Sequence, residues 1–139
     1  MEKGTGFGQV REGVNAMALD ENEQRALSEY KDFLLRRFPE QVERLILFGS
    51  KARGDSVADS DIDVLVVLRK RTEPTKAGFY PFGSADPTWR EIVGTTFDLL
   101  MEYNVNISPT VVGINEPEEH SPLMTHIKEE GVELWRRPS

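Results

Sequence analysis

Two short stretches of this chain carry residue types that could do chemistry together. Gly49-Ser50 follows the apolar run Leu45-Ile46-Leu47-Phe48, and Asp61-Ile62-Asp63 opens a second one, Val64 to Leu68. Strand side chains alternate, so on a strand starting at Asp61 the two carboxylates share a face with Leu65 and Val67, with Cα atoms about 7 Å apart, while Ile62, Val64 and Val66 take the other face. Like charges this close repel unless a cation lies between them. Hard carboxylate oxygens suit Mg²⁺ or Mn²⁺ and not zinc. Such an ion can bridge to phosphates, and a second can activate an attacking hydroxyl. Taken alone, a D-x-D pattern is common, and a strand-start cap beside a solvated acid explains it.

The glycine adds a second element. Gly49 lets the backbone approach a ligand closely, and the N–H groups that follow, at the start of a helical turn, can cradle phosphate oxygens. The Ser50 hydroxyl can donate to another oxygen. Lys51 and Arg53 supply countercharge, with an ion pair to the Asp-rich loop as the alternative for Arg53. Gly-Ser alone is a simple turn; its meaning comes from the acids ten residues on.

The elements that must position these residues read as one α/β (α+β) domain: a small mixed sheet of three to five strands flanked by helices. Asp20 caps a first helix, with Glu23 completing a capping box. Leu27, Tyr30, Leu34 and Phe38 form its apolar face, and Pro39 ends it. Residues 44–48 predict a buried strand, 50–54 a tight turn or short helix, 55–60 a polar loop and 61–68 the clearest strand. Residues 69–86 predict a long loop holding Phe79, Tyr80 and Phe82, read as anchors of that loop on the core. Asp86-Pro87 opens a second long helix whose buried stripe is expected to be Trp89, Ile92, Val93, Phe97, Leu100 and Tyr103. A third strand follows over 105–112, with Pro109 marking an edge or a bulge. Ser121-Pro122 starts a short helix with Leu123, Met124 and Ile127, closed by Gly131, and 132–135 add a last short strand. Residues 1–18, with Gly4, Gly6, Gly8 and Gly13, are expected to be a flexible tail; residues 19–136 form the domain.

Composition narrows the function. The 139 residues fit one domain, and 38% apolar with 29% charged residues describe a folded globular chain. No apolar run approaches the roughly 20 residues that cross a bilayer, and the N-terminus lacks the apolar stretch of a secretory signal. With no cysteine, disulfides and thiolate chemistry are excluded, which fits a reducing cytoplasm. The net charge of −7, from 24 acids and 17 bases, argues against general nucleic-acid binding. Arg69, Lys70, Arg71 and Lys76 read as a solvated basic loop. His120 and His126 are six apart and share no helix face, so they make no zinc pair.

Gly49-Ser50-Lys51-Ala52-Arg53-Gly54 followed by Ser60-Asp61-Ile62-Asp63 resembles the G-S-x-A-R-G…S-D-x-D pattern of minimal nucleotidyltransferases (the MNT group of the DNA polymerase β superfamily), and the likeness extends over residues 24 to 135. The resemblance implies a nucleotidyltransferase-like fold and Mg²⁺- (or Mn²⁺-) dependent transfer of a nucleotidyl group, AMP from ATP, to a hydroxyl of a protein or small molecule. By position, Gly49 and Ser50 match the phosphate-binding pair, and Asp61 and Asp63 the metal-binding catalytic acids. The superfamily adds a third acid on a later strand, and the matching position here is expected to be Asn106, which cannot take a proton; Asp98 and Glu102 are placed on the preceding helix. The resemblance also implies a role as antitoxin to a HEPN-domain protein. The alternatives are a catalytically weak or inactive nucleotide-binding module that masks its partner, and a small-molecule nucleotidyltransferase of the aminoglycoside-modifying kind whose pocket a homo-oligomer completes.

Overall fold

A computed structural model of the chain describes residues 11–12, 19–54, 60–69, 85–113 and 122–138. Helix α1 (Glu21–Arg37) begins where the capping box is expected. The Asp20 carboxylate accepts from the Glu23 N–H at 2.7 Å, and the Glu23 side chain accepts from the Asp20 N–H at 3.0 Å. These bonds satisfy two of the donors that a helix start leaves without partners. At the other end the Phe38 N–H reaches the Leu34 carbonyl just before Pro39.

Five strands form one mixed sheet: β1 (Arg11–Glu12), β2 (Val42–Phe48), β3 (Ile62–Leu68), β4 (Ile107–Gly113) and β5 (Val132–Arg136), in the order β1-β5-β2-β3-β4. Strand β2 runs antiparallel to both β3 and β5, while β3–β4 and β1–β5 are parallel. Helices α2 (Ser50–Arg53), α3 (Pro87–Tyr103) and α4 (Pro122–Glu130) complete the elements. Because β2 and β3 are antiparallel, the end of β2 and the start of β3 meet at one edge of the sheet, with Phe48 opposite Asp63. The parallel β3–β4 pair needs a crossover, and α3 lies within it.

Both faces of the central strands are covered, which is why their sequences run apolar without a break. On one face Leu45, Leu47, Val64 and Val66 pack with Ala26, Leu27, Tyr30 and Leu34 of α1 and Ile92 and Leu99 of α3. On the other, Ile46, Leu65, Val67 and Val112 pack with Ile127 of α4. The Tyr30 hydroxyl donates to the Ile92 carbonyl at 2.7 Å inside the first layer, joining α1 to α3.

The expected elements are all present; β3 begins one residue and β4 two residues later than expected, at Ile62 and Ile107, and three further differences stand out. Strand β2 begins at Val42, two residues earlier than its apolar run suggests. The buried face of α3 is Ile92, Thr96 and Leu99, whereas Phe97 and Leu100 are exposed. Both sets satisfy helical spacing, and packing against α1 selects the first; Trp89 and Tyr103 also pack against the core as expected, while Val93 and Phe97 line a groove along β4. Arg11 and Glu12, expected in a flexible tail, pair with Val132 and Glu133. The rest of that tail and most of the expected loops 55–60 and 69–86 lie outside the described residues, as do the aromatic residues 79, 80 and 82. Pro109 sits on the edge strand, as expected. The Ile62 N–H donates to the Asn106 carbonyl, a register that turns the backbone polar groups of Ile107, Pro109 and Val111 away from β3, so proline costs the ladder nothing there.

Tyr30→Phe should lower unfolding stability by about 1 kcal/mol through loss of one buried hydrogen bond, read as a shift of the urea midpoint with an unchanged slope.

Candidate active site

The site forms where β2 ends and β3 and β4 begin. Gly49 leaves β2 with φ +82° and ψ −161°, in the left-handed half of backbone space that side chains rarely tolerate. A Cβ on Gly49 would lie 2.4 Å from Asp63 Oδ2. Two demands therefore select glycine: the turn itself and the carboxylate pressed against it. The Gly49 carbonyl accepts from the N–H groups of Ala52 and Arg53, which starts α2. The N–H groups of the residues just after Gly49 belong to the first turn, where no intrahelical acceptor exists.

Asp63 is half-buried and Asp61 exposed. Burial pushes the Asp63 carboxyl above the ordinary carboxylate range, the charge on Asp61 pushes it further, and the Arg53 guanidinium opposes both. The chain thus holds two acids close enough to feel each other, as the strand spacing predicts. The Asn106 amide donates to Asp61 Oδ1 at 3.0 Å, on the strand beside the acids. Asn106, the residue expected to match a third acid, thus lies just before β4 and touches Asp61. Asp98 and Glu102 lie on α3 and are exposed. Among the described residues no group of three or more His, Cys, Asp or Glu side chains is placed to hold a metal.

The donor set still fits a hard divalent cation. Mg²⁺ commonly takes one or two carboxylates and fills its shell with water and substrate phosphates. Two mutually repelling carboxylates, one with its proton affinity raised by the other, are an arrangement that a cation relieves.

Lys51 requires a correction. Read from sequence as a phosphate countercharge, it is only 3% exposed, and its Nζ pairs with Glu23 Oε2 at 2.8 Å. The lysine is turned inward by Glu23, in the first turn of α1. Glu23 thereby caps α1 with one oxygen and anchors α2 with the other. Arg53 stays at the surface, with Nη1 3.2 Å from Glu130 Oε1.

Two clefts flank the acids. One is lined by Phe48, Gly49, Arg53, His126 and Glu130. The other runs along β4 and includes Asp61, Asn106 and Ser108 with Trp89, Val93 and Phe97. Sequence reading does not assign His126 and Glu130 to the site. Their spacing of four puts them on one helix face, yet nothing local says which end of the sheet that face meets.

Residues 27–107, more than half of the chain, match the profile of the Nucleotidyltransferase domain family. Two similar proteins from Methanocaldococcus jannaschii are named as inferred protein adenylyltransferases. One is 44% identical over 46 residues, covering 33% of this chain and 46% of the relative. The other is 28% identical over 88 residues, covering 61% of this chain and 74% of the relative. The chain thus spans about half the length of the first of these. Among solved structures, a toxin–antitoxin crystal structure with AMP-PNP aligns with a TM-score of 0.49 at 18% identity, over 78% of this chain and 73% of that one. An inferred nucleotidyltransferase from Sulfolobus solfataricus aligns with a TM-score of 0.46 at 20% identity, over 99% and 93%.

Gly49→Ala should destabilise the fold by about 1–3 kcal/mol, since both φ and Asp63 must shift, as measured by thermal unfolding. Lys51→Ala leaves the Glu23 charge buried without its cation and should cost about 3–5 kcal/mol; Lys51→Met with Glu23→Gln should recover most of that loss in the same urea titration.

Proposed function

The chain belongs to the Nucleotidyltransferase domain family, and on that footing we propose that it transfers an adenylyl group from ATP to a hydroxyl of a protein or small-molecule acceptor. The observation that carries this reading is the contact of the Gly49 turn with the Asp63 carboxylate. It brings a phosphate cradle and a cation-seeking acid pair to one point. The names of the two Methanocaldococcus jannaschii relatives support adenylyl transfer to protein.

In this reading the backbone after Gly49 and the Ser50 hydroxyl hold the polyphosphate, with Arg53 as countercharge. Asp61 and Asp63 hold Mg²⁺ or Mn²⁺. Bound there, the ion would offset phosphate charge and favour ionisation of the attacking hydroxyl. The acceptor oxygen forms a bond to the α-phosphorus as the bond to the bridging oxygen breaks and pyrophosphate leaves. Asn106 fixes Asp61 by its amide donor. An amide accepts no proton at neutral pH, so the acceptor must bring an easily ionised hydroxyl or its own base. Positioning and charge stabilisation supply the rest of the rate, as they do in phosphoryl transfer generally.

The domain, placed at residues 19–136, leaves little room for an acceptor pocket. The acceptor surface then comes from another chain, and the resemblance to minimal nucleotidyltransferases points to a HEPN-domain toxin with this chain as antitoxin, in the cytoplasm. Among the described residues no helix is long and apolar enough to cross a membrane. Asn106 favours one second reading: a module that binds nucleotide weakly and acts by masking its partner.

The test is incubation of the chain and a candidate partner with α-labelled ATP and Mg²⁺. We expect label on the partner, lost at least a hundredfold (order of magnitude for a metal-ligand acid) in Asp61→Ala and in Asp63→Ala. A tight complex with no label, unchanged in both variants, would establish the masking module instead.

A further inference from the structure

The cleft beside Gly49 has two walls. One is the motif itself, with Phe48, Gly49 and Arg53; the other is α4, with His126 and Glu130. The contact between Glu130 Oε1 and Arg53 Nη1, 3.2 Å, holds that face of α4 against α2. His126 lies one turn before Glu130 and so looks into the same space.

A triphosphate at Gly49-Ser50 needs donors. Of the two motif cations, Lys51 is buried against Glu23, and Arg53 shares its charge with Glu130. The net charge of −7 adds no background attraction for an anion. Among the described residues lining this cleft, His126 is the other side chain with an N–H donor, and it is exposed. The cleft shares no lining residue with the groove that holds Asp61 and Asn106. In an in-line displacement the acceptor and the leaving group occupy opposite sides of the reacting phosphorus. With the acceptor on the Asp61–Asn106 side, the cleft at His126 faces the leaving pyrophosphate.

We propose that His126 is a nucleotide-contacting residue whose imidazole N–H donates to the β- and γ-phosphate oxygens. This rests on the nucleotidyl-transfer reading and extends it to α4, which the family match over residues 27–107 does not reach.

The experiment is calorimetric titration of the full chain with ATP and with AMP, both with Mg²⁺ and without acceptor. His126→Ala should bind ATP about tenfold more weakly, the effect of losing one hydrogen bond to a charged group. His126→Lys should restore ATP affinity to within about threefold by supplying a cation at the same place. AMP affinity should be the same in all three proteins. Unchanged ATP affinity in His126→Ala would overturn the proposal, and so would equal weakening for ATP and AMP, which would put the histidine at the nucleoside. Failure of the wild-type chain to bind ATP at all is a separate result: it would sink nucleotidyl transfer itself, and this contact with it.

Discussion

The site depends on one close approach. Asp63 presses its carboxylate against Gly49, at a distance that leaves no room for even a methyl group. Everything that fixes those two residues fixes the site. Antiparallel pairing of β2 with β3 sets Phe48 opposite Asp63. Parallel pairing of β3 with β4 brings Asn106 to Asp61. The apolar residues between, buried on both faces, hold the register, because a slip of one residue would turn every side chain to the wrong layer.

Charge is distributed with the same economy. Among the described residues two cations are committed to the interior: Lys51 to Glu23, and Arg44 to Glu133 at 2.6 Å between β2 and β5. Burial lowers the proton affinity of Arg44, and Glu133 offsets that only in part. Such pairs add little net stability over apolar substitutes but are costly to break singly. Their effect is geometric. Lys51 ties the four-residue helix α2, too short to be stable alone, to the capped end of α1. The turn after Gly49 is therefore tied to a seventeen-residue helix.

Much of this was legible in the chain itself. Capping residues located α1 and α3, apolar runs located β2 and β3, and the Gly-Ser and Asp-x-Asp segments, singled out in the chain, lie side by side in the fold. That Asn106 would lie beside Asp61 was legible too, since the strand next to the acids could be recognised before any contact was known. What escaped had a common cause. Lys51 looks like a phosphate ligand locally, and only the arrival of Glu23 from 28 positions upstream turns it inward. Phe97 looks like a core residue because the stripes 89–93–97 and 92–96–99 fit the same period, and only α1 chooses between them. His126 was invisible because the packing of α4 on the sheet is a tertiary fact.

The arrangement of the acids also bears on the proposed function. Left to itself, the end of the sheet would be better off with one carboxylate fewer: Asp63 is partly desolvated and faces a like charge. Gly49 adds backbone entropy lost on folding, and its turn excludes every other residue. These are local costs, and the buried layers on both faces of the sheet offset them. In the proposed reading, a bound cation would relieve this conflict. The opposing guanidinium of Arg53 is insufficient to remove the conflict, because Asp63 stays raised despite it and Glu130 draws on the same group. In that reading Asp61 and Asp63 would hold the cation, whose charge would offset theirs.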